Sequence, residues 1–149
     1  MANVRPCTLN DIPQVVRLSN RWAEEGITKG YENVKWTEEK LAAKLSDYFF
    51  VAETEDGIVA YTFGAVKTSG GSSVIRPGER YLDIYEVYIA EGHRGGGLGS
   101  RLVRALLDQA EAEGIVRATV GSSNKNWRQV AGFYEQLGFD MWYIQMVKG

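Results

Sequence analysis

One cysteine, one histidine and three prolines in 149 residues leave little from which to build a staple or a metal site. Cys7 has no second thiol for an internal disulfide, and His93 has no partner with which to form a Cys/His zinc cluster. Structural zinc and Cys-His nucleophilic catalysis are therefore set aside, and no metal is expected. No stretch approaches the roughly 18 consecutive apolar residues of a membrane span. The first nine residues contain Arg5 and Pro6 but no apolar leader core, so a cytoplasmic location is expected. Charge of one sign is also lacking. Lys and Arg number 17 against 19 Asp and Glu, a net charge of -2, so no global positive field draws the chain to nucleic acid or anionic lipid. Internal repeats and linker-like shifts are absent. With 44% hydrophobic and 24% charged residues, the chain reads as one ordinary globular domain over residues 1–149.

Glycine is what the sequence has in excess. The count of 17 is about 11% of the chain, against roughly 7% in average usage. Five of the 17 fall between Gly92 and Gly99. Around them the chain alternates strand and helix signals. Val4–Thr8 reads as a short strand. Asn10, Asp11 and Pro13 open a helix with an apolar stripe through Ile12, Val15, Val16, Leu18 and Trp22. Thr37 opens a second helix with Leu41, Ala42 and Leu45 at helical spacing. Tyr48–Thr54 and Ile58–Lys67 form a hairpin about Glu55-Asp56-Gly57, and Ser69–Gly78 reads as a flexible surface loop. Tyr81–Ile89 is apolar on both parities, as a central strand covered on both faces should be. A helix follows, with Leu98, Leu102, Ala105, Leu106 and Ala110 on one stripe and Gly114 at its end. Ile115–Val120 is the next strand, Asn126 caps a helix to Leu137, and Phe139–Val147 is the expected last strand. The order βααβββαβαβ makes a mixed α/β sheet.

The glycine cluster lies between the central strand and a helix N-terminus. The first turn of a helix leaves backbone N–H groups unpaired and carries about half a positive charge, so it binds anions wherever side chains do not obstruct the approach. A phosphate or pyrophosphate is the expected ligand. The dinucleotide fingerprint G-x-G-x-x-G fails, because it requires glycine at Ser100 or Leu102, and no G-K-[ST] follows for a Walker A loop.

Arg94-Gly95-Gly96-Gly97-Leu98-Gly99 matches Q/R-x-x-G-x-G/A, and Phe133-Tyr134-Glu135-Gln136-Leu137-Gly138-Phe139 is similar to F-Y-x-x-L-G-F. In this order the two motifs resemble those of the GNAT (Gcn5-related N-acetyltransferase) superfamily. The resemblance implies a central mixed, mostly antiparallel β-sheet flanked by about four helices, with a splayed parallel strand pair. It implies acetyl-CoA as co-substrate, its pyrophosphate on Gly95, Gly96, Gly97, Leu98, Gly99 and Ser100. The pantetheine arm would follow the backbone of Val87, Tyr88 and Ile89. Arg94 and Arg101 are further candidates for phosphate contact. Asn126 is a weaker match to a family asparagine, since that position is Trp127 here.

Acetyl transfer by direct attack in a ternary complex needs a neutral amine. At pH 7 an alkylamine of pKa about 10.4 is neutral in about one part in a few thousand, a deficit of roughly 4 to 5 kcal/mol. A carboxylate near the thioester can accept that proton. Asp83 and Glu86 are the candidates in the central strand, and burial there would raise their pKa values. Their odd spacing places them on opposite faces unless a bulge intervenes, and Glu86 is preferred. A pairing with Arg80 or Arg76 is the structural alternative for either. Tyr134 stands where the family has its general acid. His93 reads as an exposed turn residue and Cys7 as a small core residue. For the acceptor, the segment Trp22–Trp36 offers Glu24, Glu25, Tyr31 and Glu32, which suit a cationic amine. A small-molecule primary amine is expected. Acetylation of a protein N-terminus or lysine is the alternative within the family, and a non-catalytic acyl-CoA-binding module the alternative outside it. A homodimer is within the family's habit.

Overall fold

The computed structural model describes residues 1–149. The elements in order are β1 (Asn3–Pro6), α1 (Ile12–Glu25), α2 (Glu38–Ala42), β2 (Phe49–Thr54), β3 (Gly57–Thr68), β4 (Arg80–Ile89), α3 (Leu98–Ala112), β5 (Arg117–Val120) and α4 (Trp127–Glu135). The local signals account for most boundaries. Pro13 sits in the first turn of α1, where its missing N–H costs nothing, and Gly26 ends the helix at φ 66°. Thr37 caps α2 by accepting from the Lys40 amide at 3.1 Å.

The five strands lie in the order β1-β2-β3-β4-β5, antiparallel except for the parallel β4–β5 pair. Helices α1 and α2 cover one face, where Ile12, Val15, Leu18 and Leu41 pack with Phe49, Tyr61 and Phe63. Helix α3 covers the other, where Val103, Leu106 and Ala110 meet Leu82 and Ile84, with Phe133, Tyr134 and Leu137 of the α4 region packed alongside. Burying each large apolar side chain contributes about 1.5–3 kcal/mol, so these two layers hold the sheet.

Two features of β4 position everything that follows. It pairs with β5 only from Tyr81 to Ile84, so Tyr85–Ile89 run on with no strand on that side and the parallel pair opens. Its register against β3 also slips: Phe63 faces Glu86 while Gly64 faces Ile84, leaving Tyr85 as an extra residue. Gly64 makes the slip possible, because a Cβ there would lie 2.4 Å from the Asp83 carbonyl oxygen.

Three expectations change. Phe139–Val147 forms no strand. The amides of Leu137, Gly138 and Phe139 turn back onto α4, and beyond them the backbone makes no hydrogen bond to any strand; β-formers make a strand only when paired. The loop Ser69–Gly78 is tied rather than loose: Gly78 N donates to Ser69 O at 2.8 Å, Ser72 N to Ile75 O at 3.0 Å, and Ile75 is buried. The bulge at Tyr85 puts Asp83 and Glu86 on one face of the sheet.

Candidate active site

The opening between β4 and β5 is a cleft of about 620 Å³. Its walls come from β4 (Glu86, Val87, Ile89), the glycine turn and start of α3, the β5–α4 loop, and α4 with Phe133 and Tyr134. The segment between α1 and α2 forms a roof. Lys29 N donates to Ser123 O and Lys125 N to Ile27 O, each at 2.9 Å, around a Thr28–Asn124 bridge. Trp22 Nε1 donates to Thr28 Oγ1 at 2.8 Å, tying the roof to α1.

At one end lies the glycine turn. None of the backbone amides from Gly95 to Ser100 donates a hydrogen bond within the chain, and the first helical bond of α3 is Arg101 N to Gly97 O at 3.1 Å. Gly97 occupies the N-cap with φ 81°, a left-handed conformation that places the helix start at the cleft. Gly99 serves packing instead: a Cβ there would lie 3.3 Å from both Ile89 Cδ1 and the Phe133 ring. A run of unpaired amides at a helix N-terminus beside an open cleft fits a pyrophosphate. Arg94 is already engaged. Its Nη2 donates to Glu25 Oε1 and Oε2 at 2.8 and 2.7 Å, and its Nε donates to Ile89 O at 2.8 Å.

Glu86 lies deeper, 9% exposed, on the roof side of the sheet. Tyr31 and Tyr61 hydroxyls each donate to its Oε1 at 2.8 Å, and Trp36 Nε1 donates to Oε2 at 2.8 Å. Ser19 lies 2.7 Å from the Tyr31 oxygen; with the Tyr31 proton given to Glu86, Ser19 is the donor there. Burial pushes the Glu86 carboxyl above its ordinary range, while the three hydrogen bonds pull the other way. Neither Arg76 nor Arg80 pairs with it; those arginines face Glu79 and Glu113. Asp83 shares the face but binds Lys67 Nζ at 2.8 Å and Thr119 Oγ1 at 2.9 Å, and it does not line the cleft.

Tyr134 lines the opposite wall, its ring edge-on to Phe133 and Phe139. Burial pushes its phenol up to about 12, and its hydroxyl makes no hydrogen bond within the chain. Asn126 sits at the α4 N-cap, but its side chain donates to Gln129 Oε1 at 2.8 Å and stays outside the cleft, whereas Asn124 lines it. His93 is on the rim.

The sequence-predicted acceptor residues divide. Tyr31 reaches the cleft. Glu24 and Glu25 border a separate hollow of about 280 Å³ with Arg21, Tyr88 and Glu91, and Glu32 is exposed away from both. Glu86 is the one carboxylate lining the main cleft. Sequence reading missed Trp36 and Tyr61 as its donors. Their distances of 50 and 25 residues from Glu86 leave no local pattern to find.

The family model described as acetyltransferase (GNAT) domain matches residues 46–141. The human protein N-acetyltransferase 8B is 32% identical over 91 residues, covering 61% of this chain. An uncharacterized N-acetyltransferase of Methanocaldococcus jannaschii is 28% identical over 152 residues, covering 98% of this chain. The chain spans 37% and 63% of the lengths of these two curated relatives. Among solved structures, a tetramutant of the Bacillus halodurans protein BH1408 superposes with a TM-score of 0.80 at 19% identity, covering 99% of each chain. No helix is long and apolar enough to cross a membrane. With the glycine turn, the splayed strands and the Tyr134 helix all inside the matched residues, the chain belongs to the GNAT acetyltransferase family.

Proposed function

We propose that this chain transfers the acetyl group of acetyl-CoA to the primary amine of a small molecule, by direct attack within a ternary complex. The observation that carries the reading is one cleft with unpaired amides from Gly95 to Ser100 at one end and a buried carboxylate, Glu86, in its wall. The amides, with Leu98, Gly99 and Ser100 opening α3, hold the pyrophosphate. The backbone of Val87, Tyr88 and Ile89, free of a β5 partner, guides the pantetheine arm. The thioester supplies an activated acetyl group. Glu86 takes a proton from the ammonium, the neutral nitrogen bonds to the acyl carbon, and the carbon–sulfur bond breaks as the nitrogen releases its second proton to solvent. Tyr134 supplies the proton that the departing sulfur needs, and burial keeps its phenol protonated at neutral pH. Asp83, held by Lys67 and Thr119, supports the strand rather than the chemistry.

A small acceptor is favoured over a protein N-terminus or lysine by the Thr28–Asn124 bridge, which crosses the opening where an extended peptide would need a continuous groove. Mass spectrometry of products formed from acetyl-CoA with a panel of small amines and a panel of peptides tests this. Acetylated small amines are expected, and acetylation of peptides alone overturns the acceptor class.

A further inference from the structure

We infer that Tyr31 and Trp36 are positioning residues for Glu86, so that the seated segment between α1 and α2 sets the working pH range of the base. This rests on the reading of Glu86 as the base. The geometry is a carboxylate held by three donors: Tyr31 and Tyr61 share Oε1, Trp36 takes one site on Oε2, and no lysine, arginine or histidine pairs with Glu86, so of the roughly four acceptor sites one on Oε2 stays open for a proton. The groups facing it are few. Tyr61 comes from β3, Tyr31 and Trp36 from the α1–α2 segment, and Ser19 of α1 stands behind Tyr31. Tyr88 lies farther along the same face, with its hydroxyl given to Glu25, and Asp83 and Lys67 neutralise each other in the other direction.

Two of the three donors therefore come from one loop, and that loop is held independently of Glu86. Its near end is pinned by the Trp22–Thr28 bond and by the crossing bridge to Asn124. Tyr31 stacks on Trp22 with ring centroids 3.8 Å apart, and Trp36 stands edge-on to Phe63 at 5.8 Å. These contacts fix where the hydroxyl and the indole N–H point before any acceptor arrives. Residues 28–36 lie outside the 46–141 region matched by the family model, whereas Glu86 and Tyr61 lie inside it. Buried carboxylates are destabilised as anions, and each donor offsets part of that cost, so removing one moves the proton affinity upward.

Tyr31→Phe and Trp36→Phe keep the rings and remove the donors. The test combines the pH dependence of kcat/KM for acetyl transfer with a carbon-detected NMR titration of the Glu86 side-chain carboxyl in the acceptor-free protein. Each variant is expected to move the acid limb and the NMR midpoint upward by about one pH unit or more, with plateau activity reduced far less than in Glu86→Gln. Trp36→Phe, on the half-buried end of the segment, serves if Tyr31→Phe fails to fold. An unmoved limb and midpoint in both variants, with the limb abolished in Glu86→Gln, overturns the positioning role and leaves the base in place. A limb that persists in Glu86→Gln overturns the base reading and the positioning role together.

Discussion

Asp83 and Glu86 are three positions apart in β4 yet point to the same face of the sheet, because the extra residue Tyr85 reverses the alternation between them. Asp83 spends its carboxylate on Lys67 and Thr119, and Glu86 carries its own into the cleft wall among hydroxyl and indole donors. The bulge thus decides which carboxylate reaches the cleft.

Gly64 holds the bulge in place, since an added Cβ would strike backbone at 2.4 Å rather than a side chain that can swing away. Gly64→Ala is expected to cost about 1–3 kcal/mol of stability and to lower kcat by displacing Glu86. Thermal melts and initial rates check this, and a variant as stable and as active as the parent would remove the bulge from the account.

The proposed phosphate cradle is made of unpaired backbone amides, so it is tested by removing one. Ser100 is the third residue of α3, where proline is tolerated because the N–H has no helical partner. Ser100→Pro is expected to weaken CoA binding by roughly 10- to 100-fold, the range for one hydrogen bond to a charged group, while Ser100→Ala changes it little. Calorimetric titration with CoA distinguishes them; equal affinity in both variants places the pyrophosphate elsewhere.

Tyr134→Phe is expected to lower kcat by roughly 100-fold and to leave KM for acetyl-CoA near its parent value. Because burial pushes the phenol up to about 12, the parent should show no loss of the acid near pH 10, where an ordinary tyrosine titrates. Steady-state rates across pH test the role, and near-parent kcat at every pH contradicts it.

Away from the cleft, Arg5 clamps Asp11 with bonds of 2.7 and 2.9 Å, and its guanidinium holds the carboxyl down at about 2. The folded value lies below the unfolded one, so the pair's contribution of about 2 kcal/mol is fully present above about pH 4 and is lost as pH falls toward 2. Asp11→Asn should lower Tm by roughly 4–8 °C at pH 7, and the difference should close in acid. A pH-independent difference would assign the loss to packing instead.

Much of this architecture is legible in the sequence itself. The hairpin about Gly57, the α3 stripe, the glycine turn and Tyr134 all rest on local patterns of period, turn chemistry or motif. What escapes a sequence reading is decided by partners distant along the chain. Glu25 reads as an acceptor-binding carboxylate until Arg94, 69 residues away, closes on it. The donors to Glu86 come from two other parts of the chain, and the segment after Phe139 pairs with no strand despite its β-formers. Gly64 inside a strand is a readable sign of the bulge, since an isolated strand glycine marks close backbone approach.

The most direct test of the account is thiol release from acetyl-CoA with small primary amines, followed across pH in the parent, Asp83→Asn and Glu86→Gln. Turnover is expected in the parent, with an acid limb retained in Asp83→Asn. In Glu86→Gln that limb is expected to be lost, with a fall in kcat of roughly 100-fold or more. Tight acetyl-CoA binding with no thiol release across the amine panel, or a Glu86→Gln profile identical to the parent's, would contradict it.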